Sequence, residues 1–271
     1  RMINIVTAFP GEARPLIDHL GLTDRDSRGP VSLYRNATHR LVISGAGKTR
    51  AATATAWLQA IDTVKNAAWL NIGIAGHASR PVGAGVLAHR ITDHGTGKSW
   101  YPPQVHGLTL ATDNLITVDK PETAYPEHAL YDMEAAGFYP VACRSTSAEL
   151  VQCYKIVSDN RDSSVAGVTP KSGAALIADR LADITTLVTA LDELSDSVIA
   201  RQVPGNTLAQ FTGHWRFTVA QQHQLEKLLA RWAALLPKQP PWCDELQARQ
   251  QASQVLHWLE QHLNSVPVRL G

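Results

Sequence analysis

Four stretches of this 271-residue chain combine residue types at spacings that can do chemistry. Lys155-Ile156-Val157-Ser158-Asp159-Asn160 is a strand-like run that ends in an acid, and α/β proteins place catalytic groups at the carboxyl ends of their strands. To serve as a general acid toward a leaving base, Asp159 would need its protonated form favoured by burial. The plainer use of Ser158, Asp159 or Asn160 is to cap a helix or shape a turn. Asp132-Met133-Glu134-Ala135-Ala136 brackets a methionine with two acids where a helix starts. A carboxylate at Glu134 can accept hydrogen bonds from two neighbouring sugar hydroxyls, which neutral residues do poorly. Acids in a first turn also simply complement the helix macrodipole, and the spacing alone does not choose between the two uses. Asn71-Ile72-Gly73-Ile74-Ala75-Gly76-His77 ends a strand in small residues, which lets a planar ligand or an anion approach the backbone, or merely makes a turn. Ser44-Gly45-Ala46-Gly47-Lys48-Thr49 is half of a phosphate-binding loop. The full pattern needs glycine five positions before Gly47, and Val42 stands there, so a tight strand-to-helix turn is the better reading.

These groups would be positioned by an alternation of strands and helices. Residues 3–8 read as a strand, Pro10-Gly11 breaks it, and residues 12–20 have helical apolar spacing. The order repeats in residues 40–44, the turn at 45–47 and the alanine-rich 48–61, and residues 67–74 form a third strand. Between Ser79 and Pro126 the chain is rich in glycine, proline and polar residues, with strand character only over 86–91, and a lid is expected there. A helix is expected over 133–143, a buried strand over 150–157 and a long helix over 172–194. The alternation predicts a three-layer α/β/α domain over residues 1–196 with a mostly parallel central sheet. Residues 197–271 read as a C-terminal helical extension. Apolar stripes run through 218–236 and 244–263, with Lys238-Gln239-Pro240-Pro241 between them, and the stripes are expected to fold back on the α/β core.

Bulk properties narrow the classes. Hydrophobic residues make up 44% and charged residues 18%, which describes a packed globular protein. A formal net charge of +1 without basic runs offers no footprint for nucleic acid. Cys143, Cys153 and Cys243 form neither a disulfide framework nor a zinc pair. With no apolar run long enough to span a bilayer and no export signal after Arg1-Met2, a cytoplasmic protein is expected, without membrane contact.

Taken in order, Glu12 after the first strand, Ser44-Gly45-Ala46-Gly47-Lys48, Asn71-Ile72-Gly73-Ile74-Ala75-Gly76, Asp132-Met133-Glu134 and Ser158-Asp159 resemble the purine nucleoside phosphorylase and nucleosidase superfamily. The nearest look is the methylthioadenosine/S-adenosylhomocysteine nucleosidase branch, over about residues 2–195. The resemblance implies that Glu12 orients or deprotonates an attacking water and that Asp159 protonates a purine as its glycosidic bond breaks. It further implies that Glu134 holds the ribose hydroxyls, Met133 packs against the sugar, and Ala8, Gly76 and Ser158 complete the substrate pocket. The transition state of such a reaction resembles an oxocarbenium ion, which nearby carboxylates stabilise. No metal or organic cofactor is implied, and a homo-oligomer is.

Two departures bear on the reaction. Ile74 stands where nucleosidases usually carry a hydroxyl residue, and Lys155 where they usually carry arginine. Phe9-Pro10-Gly11-Glu12 replaces the turn in which phosphorylases hold a phosphate-binding arginine, although Arg14 is near, so water is preferred to phosphate as nucleophile. The stretch from Gly76 to Asp132 is also shorter than in the usual nucleosidases. Trp100, Tyr101, Tyr125, His77, His89, His94 and His106 are available to rebuild a pocket, and none is assigned a role. The expectation is therefore a hydrolase of a purine or modified nucleoside. The alternatives are a phosphate-dependent phosphorylase and a non-catalytic nucleoside sensor or assembly protein.

Overall fold

The computed structural model describes residues 2–61, 64, 66–200 and 205–266. By its internal contacts the chain divides into two compact units, Arg1–Asp196 and Ser197–Gly271.

The first unit opens on β1 (Ile3–Thr7), whose five residues are all buried, followed by α1 (Pro10–Leu20). Proline at the first helical position has the backbone angle a helix needs, and Gly21, with φ 62°, ends α1 in the left-handed conformation. Then come β2 (Asp24–Asp26), β3 (Ser32–Arg35), β4 (His39–Ile43) and α2 (Lys48–Ile61). The long β5 (Ala68–His77) leads into β6 (Gly85–Asp93), β7 (Ser99–Trp100), β8 (Thr112–Thr117) and β9 (Leu130–Asp132). The unit closes with α3 (Ala135–Ala142), β10 (Val151–Asp159), α4 (Pro170–Ala178) and the start of α5 (Leu181–Ala200).

The sheet is parallel at its centre, where β1 lies between β4 and β5, and β10 runs parallel to β5 on the other side. Around this centre it becomes mixed. The β2–β3 hairpin adds antiparallel strands at one edge, and β6 crosses β10 antiparallel. Since β6, β8, β9 and β5 pair in turn and β10 pairs with both β5 and β6, these five strands close into a ring. Closure leaves that part of the sheet without a free edge. The carboxyl ends of β1, β5 and β10 consequently open onto one rim.

Helices cover both faces. Successive strand residues point to opposite sides: Val6, Val42, Trp69 and Cys153 share a core with Ala51, Ala54 and Leu58 of α2 and Phe138 and Ala142 of α3. On the other side, α1 packs against α4. The three-layer α/β/α architecture follows from that alternation.

Two details differ from the sequence reading. The stretch over 79–126, read as a lid with strand character only over 86–91, also carries β7 and β8, and β6 pairs with β8 from Leu87 with Thr112 to Asp93 with Thr117 with one register shift between Ala88 and Arg90. The long helix over 172–194 is two helices, α4 and α5, meeting at Asp179-Arg180.

The second unit comprises α6 (Gly205–His214), α7 (Val219–Leu235), α8 (Asp244–Gln247) and α9 (Ala252–Ser265). Its apolar stripes meet each other: Leu225, Leu228, Leu229 and Trp232 of α7 share one core with Val255, Leu256, Leu259 and Leu263 of α9 and Phe211 of α6. Among the described residues, no helix is long and apolar enough to cross a membrane.

Candidate active site

At the rim lies a cavity of about 260 Å³, lined by Glu12, Gly76, Met133, Glu134, Ser158 and Asp159 together with Phe9, Ile74, Val118, Tyr131 and Val168. The structure thus brings together the residues that the resemblance assigns to the site, except Ala8, whose backbone N–H is held by Glu12. The elements that carry them are far apart in the chain and meet because the sheet order places their strand ends side by side.

Glu12 is the third residue of α1, where a carboxylate ordinarily reaches back to cap the helix start. Its Oε2 accepts the backbone N–H groups of Ala8 and Phe9, both at 3.0 Å. Its Oε1 crosses to β5 and accepts the N–H of Ile74 at 3.0 Å. A carboxylate has about four acceptor sites, so three are filled and one, on Oε1, is left for a water or a ligand. Burial pushes this carboxyl above the ordinary glutamate value, while the three amides and the Lys155 charge pull the other way. Backbone amides thus hold a carboxylate that is more basic than usual, with no dependence on which side chain position 74 carries.

The two acids around Met133 divide their labour. Asp132 does the structural work: it accepts the N–H of Ala135 at 2.9 Å, the hydroxyl of Thr117 at 2.7 Å and the ammonium of Lys155 at 2.9 Å. That ion pair is fully buried, with side-chain exposures of 1% and 0%. Burial alone would lower Lys155, but the Asp132 and Glu134 carboxylates hold it above its ordinary value, so it stays cationic. Glu134 is left to the cavity. Among the described residues its donors are backbone N–H groups, Gly47 at 2.9 Å and Met133 at 3.3 Å. Burial, then the charge of Asp132, pushes Glu134 up to about 7.

The glycine turn after β4 is therefore no phosphate cradle. The Gly47 N–H serves a carboxylate, and Lys48 is held by Asp93 at 2.7 Å and Asp119 at 2.9 Å. Gly45 and Gly47 have φ of 80° and 105°, angles that side chains resist, and this turns the Gly47 amide toward Glu134. Arg14, considered for phosphate, is exposed and paired with Asp18 at 2.8 Å.

Asp159 owes its aim to a bulge. The pairing of β10 with β5 runs Val157 with Ala75 and then Asp159 with Gly76, so Ser158 is extra and the strand is re-aimed at its last residue. The turn duties fall to Asn160, whose Oδ1 accepts the N–H groups of Asp162 and Ser163. Asp159 is 3% exposed; its Oδ1 accepts the Ser158 hydroxyl and its Oδ2 accepts the Tyr125 phenol. Gly76 makes room for this arrangement, since a Cβ there would stand 2.7 Å from both Asp159 Oδ2 and Tyr125 Cε1. Tyr125 is the residue that sequence reasoning left without a role. No local signal gives it one, because 34 residues separate it from its partner.

His77, next after Gly76, lies with Asp113 and His128 so that ligand-type atoms fall within 4.8 Å of one another. Its Nδ1 accepts two backbone N–H groups, from Ser79 and Arg80, which leaves the proton on Nε2 and directs it to Asp113 at 3.2 Å. Both ring nitrogens are thus engaged by the protein, while His128 packs edge-on against the ring, with centroids 4.8 Å apart, and bonds the Ser79 hydroxyl at 2.9 Å.

No family model matches the sequence, and neither does any curated protein. By structure the chain is similar to the 5′-methylthioadenosine/S-adenosylhomocysteine nucleosidase of Neisseria meningitidis, solved with methylthio-immucillin-A, at 20% identity and TM-score 0.57, over 68% of this chain and 98% of that one. It is similar to the Helicobacter pylori nucleosidase carrying 5′-methylthioadenosine in its active site, at 14% identity and TM-score 0.60, over 71% and 99%. It is also similar to the futalosine hydrolase of Helicobacter pylori, at 12% identity and TM-score 0.53, over 68% and 98%. The first unit therefore has the nucleosidase fold that the motif order led us to expect.

Proposed function

We propose that the chain hydrolyses the N-glycosidic bond of a purine-type nucleoside. The observation that carries this reading is the joint presence, in one cavity, of an amide-held Glu12, a free-facing Glu134 and a buried, bulge-aimed Asp159. In the reaction, Asp159 gives a proton to a ring nitrogen of the base while the bond from that base to the sugar breaks and its electron pair leaves with the base. The sugar left behind has oxocarbenium character, which the neighbouring carboxylates stabilise. Glu12 takes a proton from the water that adds to the sugar carbon, and Glu134 accepts hydrogen bonds from the sugar hydroxyls. The same fold in nucleosidases that hold nucleoside analogues or 5′-methylthioadenosine supports the substrate class.

Water is favoured over phosphate by charge. The described lining holds no arginine or lysine to balance a phosphate dianion, and the Glu12 carboxylate stands where the nucleophile would sit. Homo-oligomeric assembly accompanies this reading from the family resemblance, and a cytoplasmic location from the sequence expectation.

The test is base release from a panel of purine nucleosides, with and without 5′ substituents, followed by chromatography. Free base and free sugar in phosphate-free buffer are expected. Release that requires phosphate and yields the sugar 1-phosphate would replace hydrolysis with phosphorolysis; tight binding with no release under either condition would favour the sensor.

Glu134 adds a pH dependence. Its carboxyl is pushed up to about 7, so it gains a proton as the pH falls through that value and loses acceptor capacity for the sugar hydroxyls. KM is expected to rise by up to about tenfold from pH 8 to pH 6, the scale of one charge-assisted hydrogen bond. In Glu134→Gln, KM should be high throughout and flat over that range. A wild-type KM that is level across neutral pH would remove Glu134 from the sugar.

A further inference from the structure

Resting on the hydrolase reading above, we propose that Tyr125 is a positioning residue for the acid: its phenol holds Oδ2 of Asp159, aims the carboxyl group at the departing base and stabilises the carboxylate that remains once the proton has gone. Tyr125 is 2% exposed, and its O–H donates to Asp159 Oδ2 while the Ser158 O–H donates to Oδ1. Each carboxyl oxygen keeps a second acceptor site, so one proton toward the base and two O–H donors can coexist on the group. When that proton passes to a ring nitrogen and the bond to the sugar breaks, negative charge grows on Asp159, and both hydrogen bonds donated to it strengthen as it does. Interactions that tighten in the transition state are the ones that raise kcat.

The backbone at Tyr125 shows that the contact is built. Its φ is 46°, in the left-handed region, which bulky residues rarely occupy, and the following residue is Pro126, which disfavours helical backbone before it. Such a conformation persists where the surroundings over-determine it. The Arg161 guanidinium donates to the Tyr125 carbonyl at 2.7 Å, Tyr131 packs edge-on against the ring with centroids 5.9 Å apart, and Gly76 vacates the space beside it. Burial and the Asp159 carboxylate together push the phenol above its ordinary value, so Tyr125 remains an O–H donor at all working pH.

The experiment compares wild type with Tyr125→Phe, which keeps the ring and removes only the hydroxyl. In the ligand-free wild type, a buried phenol proton held on a carboxylate should give a slowly exchanging proton NMR resonance downfield of the amides, absent from both Tyr125→Phe and Asp159→Asn. On the best nucleoside substrate, kcat of Tyr125→Phe should fall about tenfold or more, the scale of a hydrogen bond to a charged group. Activity needs the protonated acid, and a donor to the carboxylate favours the anion. Loss of that donor therefore moves the descending, high-pH limb of the kcat profile to higher pH. Glu122, Glu127, Tyr131 and Arg161 also face this corner, with His77 beyond Gly76, but all are unchanged between the two proteins and do not contribute to the difference.

A purely structural role would lower kcat without moving that limb, and would overturn the proposal. So would absence of the resonance from wild type. A resonance that is present in a wild type with no base release would overturn the hydrolase reading and the catalytic use of Tyr125 together, leaving only the contact. A resonance together with wild-type turnover, but an unmoved limb in Tyr125→Phe, would overturn the positioning role alone.

Discussion

Asp159→Asn lowers base release by about 10²- to 10⁴-fold, the usual contribution of a positioned general acid. The substitution is nearly isosteric, and the amide oxygen can still accept one of the two hydroxyls that bind the native carboxylate, Ser158 or Tyr125. What it removes is the transferable proton. The loss should therefore depend on the leaving group. A purine must be protonated to depart, whereas p-nitrophenolate leaves as a stable anion, so a p-nitrophenyl riboside should lose far less activity than a purine nucleoside. Parallel steady-state measurements of both substrates separate acid catalysis from general damage to the pocket. Equal losses would argue for damage, and unchanged purine release would remove Asp159 from the reaction.

Glu12→Gln is expected to reduce kcat by a comparable factor, about 10²- to 10⁴-fold, with a distinct side effect. All three groups bound to Glu12 are N–H donors, from Ala8, Phe9 and Ile74. A glutamine can turn its oxygen to only one side, so its NH₂ must face either the Ile74 N–H or the Ala8 and Phe9 pair. A buried donor set against a donor costs about 1–3 kcal/mol. The variant should accordingly melt at a lower temperature than wild type, whereas Asp159→Asn, which keeps at least one of its hydrogen bonds, should melt nearer to it. Thermal unfolding of the two variants beside their turnover checks both halves. Full activity in Glu12→Gln would leave the water without its base.

How far the sequence could be read depended on whether a feature was local. Apolar runs such as residues 3–7 and the alanine-rich α2 announce strand and helix by composition, and their alternation gives the layered fold. Asp159 was legible because an acid closing a buried strand is a recognisable pattern. The bulge that aims it was not, since Ser158 becomes extra only when β10 pairs with β5. The β2–β3 hairpin escaped notice because Asp24-Arg25-Asp26 has no apolar alternation and is held at the edge by Arg35 on Asp24 and by Arg25 over the Tyr34 ring. The isoleucine at position 74, a departure from the nucleosidase pattern, matters less once its backbone N–H proves to be the group that Glu12 uses. Backbone donors leave no trace in a sequence. Lys155 in place of arginine is likewise absorbed, since its single buried ion pair goes to Asp132. Tyr125 stood out only as one aromatic among several, for its meaning lies in a long-range contact.

The account stands on Glu12 and Asp159 flanking one glycosidic bond, and the most direct measurement is a crystal structure with a purine C-nucleoside, whose carbon–carbon link cannot be cleaved. The account predicts the base with a ring nitrogen in hydrogen-bond reach of Asp159, the sugar hydroxyls on Glu134, and a water held by Glu12 beneath the sugar carbon. A nucleoside bound elsewhere, for instance in the apolar hollow beside Phe9 and Pro170, or one bound in the cavity with its base away from Asp159, would contradict it.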